Sequence, residues 1–123
     1  MVEQDTLKNI RNKNLSDVLQ VLRNKGACSL AELTENTDGG LTTVKKCVFQ
    51  AMELGMIIEG DIAESTGGRK AKQYLINEKY QYFLFIIIDN NELLFKIYNY
   101  KFECAESYSV IFEMDKFLFT LYR

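Results

Sequence analysis

The sequence has no histidine, no tryptophan and no proline, and only three cysteines in 123 residues. Without histidine the chain lacks the usual general base near neutral pH. This excludes Ser/His and Cys/His nucleophilic arrangements and His-containing zinc sites. Cys28, Cys47 and Cys104, spaced by 19 and 57 residues, fit neither a metal-ligand nor a disulfide pattern and read as reduced core or boundary positions. Asp89 as a base and Cys104 as a nucleophile have no visible partners, so no enzyme, cofactor or metal is expected. No run of about 18 apolar residues occurs, and Met1 to Lys13 lacks the apolar block of a secretory signal. The chain therefore reads as soluble and cytoplasmic, with no membrane segment.

What is present is a globular composition, 47% hydrophobic and 26% charged, enough for one domain or two very small ones. Net charge is −2, which alone argues against nucleic acid. The balance is uneven: Met1 to Tyr80 carries 11 Lys/Arg against 11 Asp/Glu, and Gln81 to Arg123 carries 4 against 6. For duplex binding it is the local clustering of positive charge that matters. Every Phe and Tyr except Phe49 and Tyr74 lies between Tyr80 and Tyr122, so composition changes near Lys79 and two units are expected, 1-79 and 80-123.

In the first unit Leu15, Val18, Leu19 and Leu22 recur at helical spacing, and Gly26 supplies a left-handed stop. The first helix is expected over Asn14 to Lys25, preceded by a basic arm of Lys8, Arg11 and Lys13. Ser29 and Glu32 form a capping box for a short helix from Leu30 to Asn36, with Leu30 and Leu33 on its buried side. Asp38-Gly39-Gly40 makes a tight turn. A third helix follows, with Thr42 as its cap and Val44, Val48, Ala51 and Met52 inward, and stops at Leu54-Gly55. Met56-Ile57-Ile58 and Tyr74-Leu75-Ile76 read as strands flanking a polar tip. The fold class expected is α+β: a winged helix-turn-helix of three helices plus a β-hairpin wing, followed by a small antiparallel β-meander.

In a helix-turn-helix the second helix braces the third, whose N-terminal end enters the major groove. After the apolar face of the third helix is assigned, Thr42, Thr43, Lys45, Lys46 and Gln50 remain. Threonine can touch a thymine methyl, glutamine can pair with adenine, and lysine can reach phosphate or guanine. A solvated face carrying two lysines is the plain alternative. The hairpin tip adds Arg69, Lys70 and Lys72 beside two glycines, suited to a minor groove or a phosphate row. Ser29 can cap its helix and also donate to phosphate.

Ser29-Leu30-Ala31-Glu32-Leu33, Leu41-Thr42-Thr43-Val44, Leu54-Gly55-Met56-Ile57-Ile58-Glu59, Ser65-Thr66-Gly67-Gly68-Arg69-Lys70 and Tyr74-Leu75-Ile76-Asn77 together resemble the DNA-binding half of ROK-type (repressor, open reading frame, kinase) transcriptional regulators. The resemblance covers about residues 14 to 77, and the Gly-Gly-Arg wing is its most specific piece. It implies a regulator of sugar metabolism that binds double-stranded DNA. In that family an actin-like sugar-kinase domain follows, and Phe83 to Asp89 with Leu93 to Tyr98 look like its first strands. The departures are that Asp89-Asn90-Asn91-Glu92 has no glycine for a phosphate turn, and that the chain ends at Arg123 before the sugar, nucleotide and zinc motifs. The chain is either a truncated piece or a short regulator retaining the DNA-reading part and a fragment of the sensor. A sugar effector is expected only of a longer natural chain, and sugar phosphorylation is not expected here.

The aromatic rings after Tyr80 exceed what a three-stranded meander buries alone. A homodimer through residues 80-123 is therefore expected, in keeping with paired half-sites on DNA. The alternatives are rings packed within one monomer, and a winged-helix protein-interaction module that does not bind DNA.

Overall fold

The computed structural model describes residues 2–60, 71–89 and 91–113. They form three helices followed by five strands in two antiparallel sheets, an α+β arrangement. The chain divides between Asn77 and Glu78 into two compact units.

Helix α1 spans Val2–Lys25 and buries Val18, Leu19 and Leu22, three side chains whose burial stabilises by about 1.5–3 kcal/mol each. Its start differs from the expected Asn14. The apolar stripe marks only the part that packs, whereas the residues ahead of it contain neither glycine nor proline and extend an already nucleated helix. The expected basic arm is therefore helical. Its Lys13 lies 3.6 Å from Asp38, an exposed pair of little energetic weight. Gly26, at φ +84°, ends α1 and donates its N–H to Leu22 O at 2.9 Å; the left-handed backbone is one that side-chain-bearing residues enter at a cost.

Helix α2 spans Leu30–Glu35 and buries Leu33 completely. Its capping box is formed as expected: the Ser29 N–H donates to Glu32 Oε2 at 2.7 Å, and the Glu32 N–H donates back to Ser29 Oγ at 3.3 Å. Helix α3 spans Leu41–Glu53. Its cap is Gly40 in extended conformation, not Thr42, because the helical turn already begins at Leu41, one residue ahead of the expected cap. Val44, Val48 and Ala51 are buried as the spacing predicts, joined by Cys47, while Met52 is only half-buried. Helices α1 and α2 both pack on α3.

Strands β1 (Ile57–Gly60) and β2 (Gln73–Ile76) pair antiparallel, Ile57 opposite Ile76 and Gly60 opposite Gln73. Ile57, Tyr74 and Ile76 are buried and complete the core of this unit. Two features are not visible in the sequence. Cys28, just ahead of α2, exchanges both backbone hydrogen bonds with Tyr74 at 2.8 and 2.9 Å, tying the α1–α2 connection to β2. Asn77 Nδ2 donates to Gly55 O at 2.8 Å, and the Asn77 N–H donates to Met56 O at 2.9 Å. Together they lock the turn between α3 and β1 to the end of β2.

In the second unit β3 (Phe83–Asp89), β4 (Glu92–Tyr98) and β5 (Cys104–Ile111) form an antiparallel meander with β4 central. Tyr80, Phe83, Tyr100 and Phe102 form a chain of rings with centroids 4.8–6.3 Å apart, and Phe85 meets Tyr98 edge-on at 5.4 Å. Asn99 accepts the N–H groups of Lys101 and Glu103, both at 3.0 Å, shaping the β4–β5 turn in which Phe102 adopts φ +66°.

Candidate nucleic-acid interface

One turn of helix per 3.6 residues places Val44, Cys47, Val48 and Ala51 on one side of α3 and Thr42, Lys45, Lys46 and Phe49 on the other. The burial follows this division: Thr42, Thr43, Lys45, Lys46 and Phe49 are exposed, and Gln50 is half-buried. Five of the sequence-derived candidates therefore lie on one helix, four of them exposed. Gly40 supplies no side-chain cap, so the opening N–H groups of α3 are not met by a capping side chain and add positive potential at the end where the threonines sit.

Phe49, absent from the sequence-derived candidates, shares this face. It is 41% exposed, and Lys45 Nζ lies over its ring at 5.8 Å, a cation–π arrangement that draws the ammonium along the helix surface. The signal was available: Phe49 stands seven residues after Thr42 and hence on the same face. Glu53, seven after Lys46, is also exposed and makes the far end of this face acidic. On α3 the positive part of this face accordingly lies in the first two turns.

The remaining candidates are placed differently. Ser29 is nearly buried, and its hydroxyl donates to Glu32 Oε2 at 2.9 Å while accepting the Glu32 N–H, so both functions of the oxygen are used in the cap. The Ser29 N–H and then its hydroxyl hold the Glu32 carboxyl below the usual carboxylate range. Lys72 is exposed and pairs from the β2 side with Glu59 of β1, 3.0 Å from Oε1 and donating to Oε2 at 3.3 Å, and the hydrogen bond to Glu59 raises its pKa. Arg69 and Lys70 lie outside the described residues.

Beside α3 a groove of about 450 Å³ is lined by Arg11, Asn12, Leu15, Cys47, Gln50 and Glu53, among others. Gln50 thus sits where the exposed face meets this groove. Burial pushes the Cys47 thiol up, as it does that of Cys28, the setting of a structural rather than a reactive cysteine. Among the described residues no cluster of three or more Cys, Asp or Glu is arranged to hold a metal ion, and no helix is long and apolar enough to cross a membrane.

No family model matches the chain, and neither does any curated protein. Among solved structures the chain is similar to the crystal structure of a ROK family transcriptional regulator described as a homolog of the E. coli MLC protein. The TM-score is 0.64 at 17% sequence identity, over 92% of this chain and 31% of that one. The chain thus spans about a third of the length of the structure it matches, and the likeness is one of fold.

Proposed function

We propose that the chain is a sequence-specific DNA-binding transcriptional regulator of the ROK type, acting in the cytoplasm as a homodimer. In this reading residues 1-79 are a winged helix-turn-helix. α2 braces α3 across the sugar-phosphate backbone, and the N-terminal turns of α3 enter the major groove. The observation that carries the proposal is the clustering of Thr42, Thr43, Lys45 and Lys46 as exposed side chains at one end of α3. The fold likeness to a ROK regulator supports it.

Within this reading each residue has a distinct task. Thr42 and Thr43 are short enough to let the helix approach base edges, where their hydroxyls bond and their methyls meet thymine. Lys46 reaches phosphate or guanine, and Gln50, lower on the helix, pairs with adenine. Lys45, lying over Phe49, is poised along the groove wall. Arg69 and Lys70 reach the minor groove or a phosphate row from the wing, and Lys72 does so after exchanging Glu59 for phosphate. Ser29 contributes by holding the N-terminus of α2, where a backbone phosphate passes. Residues 80-123 form the dimer interface, and sugar metabolism is the pathway such a regulator serves.

The test is fluorescence anisotropy with mixed genomic duplex as salt is raised. Binding that weakens steeply with salt is expected. The joint Lys45→Ala and Lys46→Ala change should reduce both affinity and the slope against log salt, by about one unit for each phosphate no longer neutralised. Undetectable or salt-independent binding would instead favour a protein-interaction module, the reading supported by the broad apolar surface of β3.

A further inference from the structure

Phe49 is the one aromatic residue of α3 and takes no part in its core. At about 100° per residue it lies roughly 150° around the helix from the middle of the stripe formed by Val44, Cys47, Val48 and Ala51, and it is 41% exposed. A lone apolar side chain at a surface is ordinary; the company of this one is not. Its neighbours at helical spacing are Thr42, Lys45, Lys46 and Glu53, all of them exposed. The ring is thus the single apolar side chain on the outward strip of α3 that carries the threonines and lysines.

Seven residues at 1.5 Å each put Phe49 about 10.5 Å further along the axis than Thr42, a distance of about three base-pair steps of 3.4 Å. A helix lying in the major groove with Thr42 at one base pair therefore brings the ring to another about three steps away. There a phenyl ring has little choice of partner. It neither donates nor accepts a hydrogen bond, so against the N7, O6, N6 or N4 edge of a purine or of cytosine it would strip water from polar groups and leave them unpaired, which costs free energy. The apolar group that the floor of the major groove offers is the C5-methyl of thymine. Lys45, whose Nζ lies 5.8 Å from the centre of the ring, keeps a positive charge at the rim of the same contact, where the phosphates run.

We propose that Phe49 is a specificity-determining residue of the DNA interface, its ring packing on the C5-methyl of a thymine in the major groove. This rests on the DNA-binding reading and adds to it a base preference at one position of each half-site. The contact favours thymine twice over, by covering a methyl group where thymine is present and by leaving polar base edges unpaired where it is not. It is also separable from the contacts of Lys45 and Lys46. A neutral ring releases no counterions, so its contribution does not depend on salt, whereas theirs does.

The test uses the full chain to enrich binders from a pool of random-sequence duplexes. The enriched duplex is then remade with deoxyuridine at each thymine in turn, which deletes the methyl and nothing else. Replacement at one thymine of each half-site should lower wild-type affinity about fourfold, the factor that burying one methyl group contributes. Phe49→Ala should be indifferent to that same replacement while keeping the wild-type slope against log salt. Phe49→Leu, which keeps an apolar end, should retain a preference for thymine there, and both variants should match the wild type in circular dichroism because the ring lies outside the core. A wild type that is insensitive to every replacement, or a Phe49→Ala variant that loses as much as the wild type at each, overturns the role of Phe49 and leaves the DNA reading standing. A wild type that enriches no duplex, or binds without salt dependence, overturns the DNA reading and this role with it.

Discussion

Single residues carry the capping box that sets α2 in place, and each half of it can be removed one atom group at a time. Ser29→Ala deletes the hydroxyl that caps α2 and should cost about 0.5–2 kcal/mol, read as a lowered midpoint in urea. Glu32 completes that box, and its carboxyl is held below the usual range by the Ser29 N–H and hydroxyl. A depressed carboxylate contributes stability that is present above its unfolded pKa, about 4.3, and is lost as pH falls through the folded value. Glu32→Gln should therefore be less stable than the wild type at neutral pH, with the gap closing in acid; a gap constant down to pH 2 would contradict the assignment. The capping box was legible in the sequence because Ser and Glu three residues apart do one local job. The surroundings of Lys72 were not, since its partner Glu59 is fixed only once a strand register exists.

At the scale of elements, the helical spacing of apolar residues located α3 within its observed bounds and identified Val44, Val48 and Ala51 as its core. The same pattern failed at the start of α1, because hydrophobic periodicity reports packing and the leading residues of α1 are helical by propensity. The Cys28–Tyr74 bridge was likewise invisible, a long-range backbone pairing with no side-chain signature. Strand β3 was legible as a strand but not as an exposed one: its apolar run announces cover on both faces, and the burial shows how little the meander supplies. Leu33, fully buried where α2 meets the core, is the element-level probe of the brace. Leu33→Ala should cost about 2–5 kcal/mol in chemical unfolding and weaken duplex binding by loosening α3. A loss below about 1 kcal/mol would mean that α2 is not held as described.

For the whole molecule, an overall charge of −2 looks unsuited to a polyanion, and the proposed DNA reading rests instead on the local charge of α3. The positive end of α3 is small and local, with Glu53 closing it off, so affinity from one copy should be modest and strongly dependent on salt. A two-fold pair would present two such ends and gain through simultaneous engagement. Amide chemical-shift mapping of the isotope-labelled chain against duplex tests the proposed DNA reading most directly. Shifts concentrated at Thr42, Thr43, Lys45, Lys46 and Gln50 are expected, with β3 to β5 unchanged. An unperturbed α3, with shifts on the meander instead, would contradict it.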